Sequence, residues 1–237
     1  MGSSPIARFE GKEKYIVYTR KQVAAVIDHA VLNPEATDAD LQAGAEICIA
    51  EKTASICVRP CDVKRAAALL AGSGVMVTSV LSFPHGADTT AVKTFAAGQA
   101  IESGASEIDM VMNIGRFLAG DNDYVRDDIA AVVGVAHNHG ARVKVIQESC
   151  FLTLGQVATA CEISCNAGAD FVKTSTGFGP GATTPEIIDV MVRTVGNRMG
   201  VKASGGIRTW QDATRYLDQG VNRLGLSSTI AVLGGAE

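Results

Sequence analysis

The sequence predicts a single-domain α/β fold, a TIM-type (β/α)8 barrel. Three observations carry that reading. Eight short β-rich runs recur along the 237 residues, with starts about 20 to 35 residues apart, the span of one βα unit. The segments between them open on helix-capping residues and close on glycines. No G-x-G-x-x-G follows the first run, which argues against a doubly wound dinucleotide-binding sheet.

The predicted strands are Ala25–His29, Ser55–Arg59, Met76–Ser82, Glu107–Asn113, Arg142–Glu148, Asp170–Ser175, Gly200–Ala203 and Arg223–Gly225. Helix starts are marked between them. Thr37 precedes Leu41–Glu51, Thr153 and Gln156 have capping-box spacing before Val157–Ala167, and Thr184-Pro185 puts a hydroxyl before a first-turn proline. Gly72, Gly104, Gly140, Gly168 and Gly220 each sit at a helix end shortly before a strand. The barrel is expected over residues 21–237, with 1–20 as an N-terminal arm. Met1-Gly2-Ser3-Ser4-Pro5 lacks the apolar stretch of a signal peptide.

Composition narrows the function. With 21 basic and 25 acidic residues the net charge is −4, and no basic block occurs, so neither nucleic acid nor an anionic membrane is an expected partner. No apolar run reaches membrane-spanning length. The six cysteines include no C-x-x-C pair and mostly lie in apolar runs such as Ile56-Cys57-Val58. They read as small core hydrophobes suited to a reducing cytosol rather than as metal ligands.

Charge interrupts four predicted strands: Glu107-Ile108-Asp109-Met110-Val111, Arg142-Val143-Lys144-Val145-Ile146, Phe171-Val172-Lys173-Thr174-Ser175 and Val201-Lys202-Ala203. Asp28 lies near the first strand. Parallel barrel strands are covered on both faces, so a charge on either is unusual, and lysine is rarely buried unpaired. One such lysine reads as a strand-end residue reaching solvent. Three on successive strands beside Asp109 read as a site. An amine in water titrates at about pH 10.4. Desolvation and a neighbouring ammonium both favour its neutral form, which attacks carbonyls. Spacing alone does not say which lysine attacks. A second feature is a phosphate rim: Gly205-Gly206 after the seventh strand, Ser227-Ser228 after the eighth, and Gly177 after the sixth.

At these residues the chain resembles the deoxyribose-phosphate aldolases, from about Ile27 to Ser228. The matching segments are Ile27-Asp28-His29, Ser82-Phe83-Pro84-His85-Gly86, Glu107–Val111, Gly168–Phe178 and Val201–Arg208. The resemblance implies a Schiff base on Lys173, a second ammonium at Lys202 and a proton-relay carboxylate at Asp109. It further implies substrate binding by Asp28, Lys144, Gly177, Gly205, Gly206, Ser227 and Ser228. The family's reaction, reversible cleavage of 2-deoxy-D-ribose 5-phosphate to glyceraldehyde 3-phosphate and acetaldehyde, needs no metal or organic cofactor. A cytoplasmic homodimer follows as an expectation. The chain departs from the family at Ala30 (usually Thr), Ser82 (usually Gly), Gln147-Glu148-Ser149 (usually running on to Glu-Thr) and Leu226 (usually Thr or Ala). It also ends at Gly234–Glu237 without the tyrosine-bearing tail common in the family. Ala30 and Ser82 are expected to reshape the sugar pocket.

Other residues read more plainly. His85 is a turn residue, His137 and His139 mark a polar helix end, Cys57 is core packing, and Asp121–Asp128 is a solvated helix start. Arg208 suits a phosphate contact or the surface equally. Two competing functions fit the same residues: a phosphosugar isomerase using Asp109 and the lysines without a covalent intermediate, and a non-catalytic sugar-phosphate binder.

Overall fold

The computed structural model describes residues 6–10 and 13–236. The expectation for Met1–Pro5 lies outside the described residues. The chain opens with an antiparallel pair that the sequence reading did not predict, β1 (Ile6–Glu10) with β2 (Glu13–Val17), in a sheet separate from the barrel. Helix α1 (Arg20–Ala24) follows, with Thr19 and Gln22 forming a capping box. Arg20 reaches two later elements. Its guanidinium pairs with Glu51 at 2.6 Å and donates to the Leu233 carbonyl at 2.8 Å.

Eight parallel strands then close on themselves: β3 (Ile27–Val31), β4 (Ser55–Val58), β5 (Met76–Leu81), β6 (Glu107–Val111), β7 (Arg142–Ile146), β8 (Phe171–Lys173), β9 (Gly200–Ser204) and β10 (Arg223–Leu226), with β10 against β3. The predicted barrel stands, and each predicted strand has its counterpart. The first starts later than expected, because the Thr19 cap commits Arg20–Ala24 to helix and Ala25 ends it.

Helices between the strands are α2 (Asp38–Glu51), α3 (Val63–Leu69), α4 (Thr90–Glu102), α5 (Ile114–Leu118), α6 (Asn122–Asn138), α7 (Leu154–Asn166), α8 (Pro185–Val195), α9 (Trp210–Asp218) and α10 (Thr229–Leu233). Thr37, Thr89, Thr153, Thr184 and Thr209 cap their helices by accepting a first-turn N–H, each worth about 1 kcal/mol. None of the described helices is long and apolar enough to cross a membrane.

Strand alternation sorts the barrel into two environments. Outward-facing Ile56, Val58, Ile108, Met110, Val143 and Val145 pack on one set of helices. Val172, Val201, Ala203 and Leu224 pack on the other. The inward set holds Asp28, Ser55, Thr78, Glu107, Asp109, Lys144, Lys173 and Lys202, all buried. Barrels normally fill this space with branched apolar side chains. Here it is a hydrogen-bonded ionic core.

One surface expectation fails. Asp128 is not part of a solvated helix start; it is buried between α4 and α6 and accepts from Lys93 Nζ at 2.6 Å and Thr90 Oγ1 at 2.8 Å. Lys93 also donates to the Val111 carbonyl at 3.2 Å. The pair ties two helices to the end of β6.

Candidate active site

Strand register brings the charged residues together. Lys173 is the cross-strand partner of Lys202, and Asp109 that of Lys144. Gly225 makes room for the lysine stem: a Cβ there would meet Lys202 Cε and Ser204 Cβ at 2.9 Å each. The three lysines converge on one carboxylate. Lys173 and Lys202 each donate to Asp109 Oδ2 at 2.8 Å, and Lys144 donates to Oδ1 at 2.8 Å.

A further layer lies below. Asp28 Oδ2 pairs with Lys202 Nζ at 2.6 Å, and its Oδ1 accepts from Ser55 Oγ at 2.8 Å and from Arg223. Glu107 accepts from Lys144 at 2.5 Å, from Arg223 at 2.8 Å and from Thr78 Oγ1 at 3.0 Å, and it also pairs with Arg142. Glu107 and Arg223 escaped the sequence reading as site residues. Glu107 carried a usable signal, since it shares a strand face with Asp109. Arg223 read only as a strand start.

Electrostatics fix most of these groups as ions. Burial pushes the Asp109 carboxyl up, but Lys144, Lys173 and Lys202 outweigh it and hold it well below the carboxylate range. Asp28 is held low against burial by Lys202, Lys144 and Arg223. Glu107 is lowered against burial, chiefly by Lys144 and Arg223. Burial depresses Lys202, yet Asp109 and Asp28 overcome it and raise it. Lys144 is raised against burial mainly by the same two carboxylates. Lys202 and Lys144 are therefore fixed ammoniums. Lys173 differs from both in having a single carboxylate partner.

Above the ions lies an open cavity of about 560 Å³, within the range of small-ligand sites. Lys173, Lys202 and Asp28 line its floor, with Gly177, Gly205, Gly206, Ser227 and Ser228 around it. Gly205 and Gly206 have φ of +89° and +83°, which exposes their backbone at the turn without side-chain cost. Buried Glu148 accepts from Thr176 N at 3.2 Å and from the Thr176 hydroxyl, fixing the turn that carries Gly177.

Two predicted site residues do not line the cavity. Asp109 reaches it through the Nζ atoms it holds. Lys144 sits fully buried beneath, paired with Asp109 and Glu107. Lys144, expected to touch substrate, here has its ammonium paired with carboxylates below the floor. Of the departures, Ala30 and Leu226 line the cavity, whereas Ser82 and Gln147 do not. Ser82 instead adopts φ +53°, a left-handed conformation that costs a non-glycine residue about 1 kcal/mol. That accounts for glycine as the usual residue there. Cys57 is buried as expected but borders the cavity, and burial followed by Asp109 pushes its thiol up to about 11. Arg208 lines the rim, His85 is exposed, and His137 bonds Asp170 at 2.9 Å.

A model of the DeoC/LacD family aldolases matches residues 22–228. The deoxyribose-phosphate aldolase of Clostridium perfringens strain 13 is 48% identical over 216 residues, covering 91% of this chain and 96% of that protein. That of Thermococcus kodakarensis is 47% identical over 219 residues, covering 92% and 98%. The solved deoxyribose phosphate aldolase of Aeropyrum pernix, described as having a unique tetrameric structure, superposes with a TM-score of 0.85 at 31% identity, covering 91% of each chain. With its closed barrel and lysine-rich floor, the chain belongs to the DeoC/LacD family of aldolases.

Proposed function

We propose that this aldolase reversibly cleaves 2-deoxy-D-ribose 5-phosphate into D-glyceraldehyde 3-phosphate and acetaldehyde through a Schiff base on Lys173. The observation that carries the reading is that, among the described residues, Lys173 alone of the lysines combines a place on the cavity floor with a single carboxylate partner, beside a Lys202 locked between two.

The steps follow from that geometry. The free Lys173 amine attacks C1 of the open-chain aldehyde, and the carbinolamine loses water to give a protonated imine. The C2–C3 bond then breaks as a proton leaves the C3 hydroxyl. Its electron pair passes into the iminium, leaving an enamine and releasing glyceraldehyde 3-phosphate. Protonation of the enamine at C2 and hydrolysis of the imine release acetaldehyde and return the amine. Protons pass along the hydrogen-bonded Lys173–Asp109–Lys202 path and water, with Asp109 an anion and Lys202 an ammonium before and after each turnover. The iminium is the electron sink, so the chemistry calls on neither metal nor organic cofactor. The phosphate lies against the Gly205-Gly206 and Ser227-Ser228 turns, held by local donors rather than by overall charge, which is −4.

Borohydride reduction with substrate present, followed by mass spectrometry, tests the mechanism. An adduct on Lys173 is expected. Turnover without an adduct would favour acid–base chemistry with no covalent intermediate, and neither adduct nor turnover would mean a binding protein. The same reading takes the protein to be a cytosolic homodimer. The free thiols among the described residues suit that compartment, and light scattering in solution decides the oligomer.

A further inference from the structure

His29 is a buried histidine that the mechanism does not use. It follows Asp28 on β3, so alternation turns its ring away from the ionic core, toward the helices. There it is 5% exposed, and a Cβ on Gly44 of α2 would come within 3.3 Å of its Nε2. Its Nδ1 makes a 2.9 Å hydrogen bond with Thr229 Oγ1, and Thr229 is fully buried.

That bond spans a specific piece of chain. Leu226, the last residue of β10, is the register partner of His29. Thr229 is the first residue of α10. Between them lie only Ser227 and Ser228, both lining the cavity. One β3 residue therefore grips the Ser227-Ser228 turn at both ends, by strand pairing before it and by its side chain after it. Burial pushes the imidazole down to about 4, so the ring is neutral at working pH and the bond carries no charge to be screened.

We infer that His29, through Thr229, is a positioning residue that sets the Ser227-Ser228 turn for the substrate's phosphate. The inference rests on the phosphate placement proposed above. It concerns the anionic end of the substrate, so it separates from a general packing role by comparing phosphorylated with unphosphorylated sugar.

The experiment measures kcat/KM for 2-deoxyribose 5-phosphate and for 2-deoxyribose in wild type, His29→Leu, Thr229→Val and His29→Asn, with thermal unfolding as a folding control. The ratio of the two kcat/KM values is expected to fall roughly five- to tenfold in His29→Leu and Thr229→Val, the scale of one lost buried hydrogen bond. His29→Asn, whose amide reaches where Nδ1 stands, should restore most of it. If wild type prefers the phosphorylated sugar and both variants keep that preference, the inference fails while the phosphate reading stands. If both sugars fall equally in the variants, His29 is packing alone and the inference fails. If wild type shows no preference and inorganic phosphate does not compete, the phosphate placement fails and takes the inference with it.

Discussion

Lys173 and Lys202 aim their Nζ atoms at the same oxygen, Asp109 Oδ2, each from 2.8 Å. One carboxylate oxygen thus holds two ammonium groups on adjacent strands, and the two are not equivalent. Lys202 has a second carboxylate in Asp28 at 2.6 Å, and Lys173 has no second one among the described residues. Lys173 can leave its partner for a carbonyl without stripping a second ion. Lys173→Ala should lower kcat by roughly 10³-fold or more, the scale seen when a covalent nucleophile is removed. Steady-state cleavage near the wild-type rate would sink the mechanism.

Lys202 should govern the pH at which the nucleophile works. Asp109 and Asp28 keep it cationic despite burial, a fixed positive charge on the strand next to Lys173. In Lys202→Leu that charge is gone while Asp109 remains an anion. The rising limb of the kcat/KM profile should then move to higher pH. A variant profile that overlays the wild type would remove Lys202 from this role.

Glu107 should act in the opposite direction. Among the described residues, Lys144, Lys173, Lys202 and Arg223 pair within the barrel with three carboxylates, Asp28, Glu107 and Asp109. Glu107→Gln keeps the shape and several hydrogen bonds but widens the cationic excess. The same limb should shift to lower pH, at a stability cost of about 3 kcal/mol because Lys144 and Arg223 lose a buried counter-ion. A shift toward higher pH would contradict this account of the network.

How far the site was legible in the sequence depends on whether its signal is local. Lys144, Lys173 and Lys202 stand out because each interrupts an apolar strand, and each strand can be read by itself. Arg223 was hidden because an arginine opening a strand looks like a residue reaching solvent. Only barrel closure, with Arg223 paired in register to Lys202, turns it inward. The β1–β2 pair lies in its own sheet, outside the βα rhythm that marks the barrel strands. Asp128 read as solvated because its partner Lys93 lies 35 residues away on another helix.

That buried pair supports a stability prediction. Lys93 and Asp128 both have fully buried side chains. Lys93→Met leaves a buried carboxylate between α4 and α6 with the Thr90 hydroxyl but no counter-ion and should cost about 3–5 kcal/mol. Adding Asp128→Leu removes the stranded charge and should recover most of the loss. Urea unfolding midpoints of the three proteins check this, and a double variant no more stable than the single one would show that packing, not charge, dominates.

His29 should make the fold acid-sensitive. Unfolded, its imidazole titrates at about 6.5, and in the folded chain burial lowers it to about 4. Between those values the unfolded chain binds the extra proton. The contribution is therefore fully present above about pH 6.5 and is lost as pH falls toward 4, by on the order of 3 kcal/mol. His29→Asn cannot take up that proton. Its stability should fall less between pH 7 and pH 4.5 than the wild type's, although other groups still titrate in both. Urea midpoints at the two pH values measure the difference. Equal losses in the two proteins would mean that the folded chain accepts a charged ring at position 29.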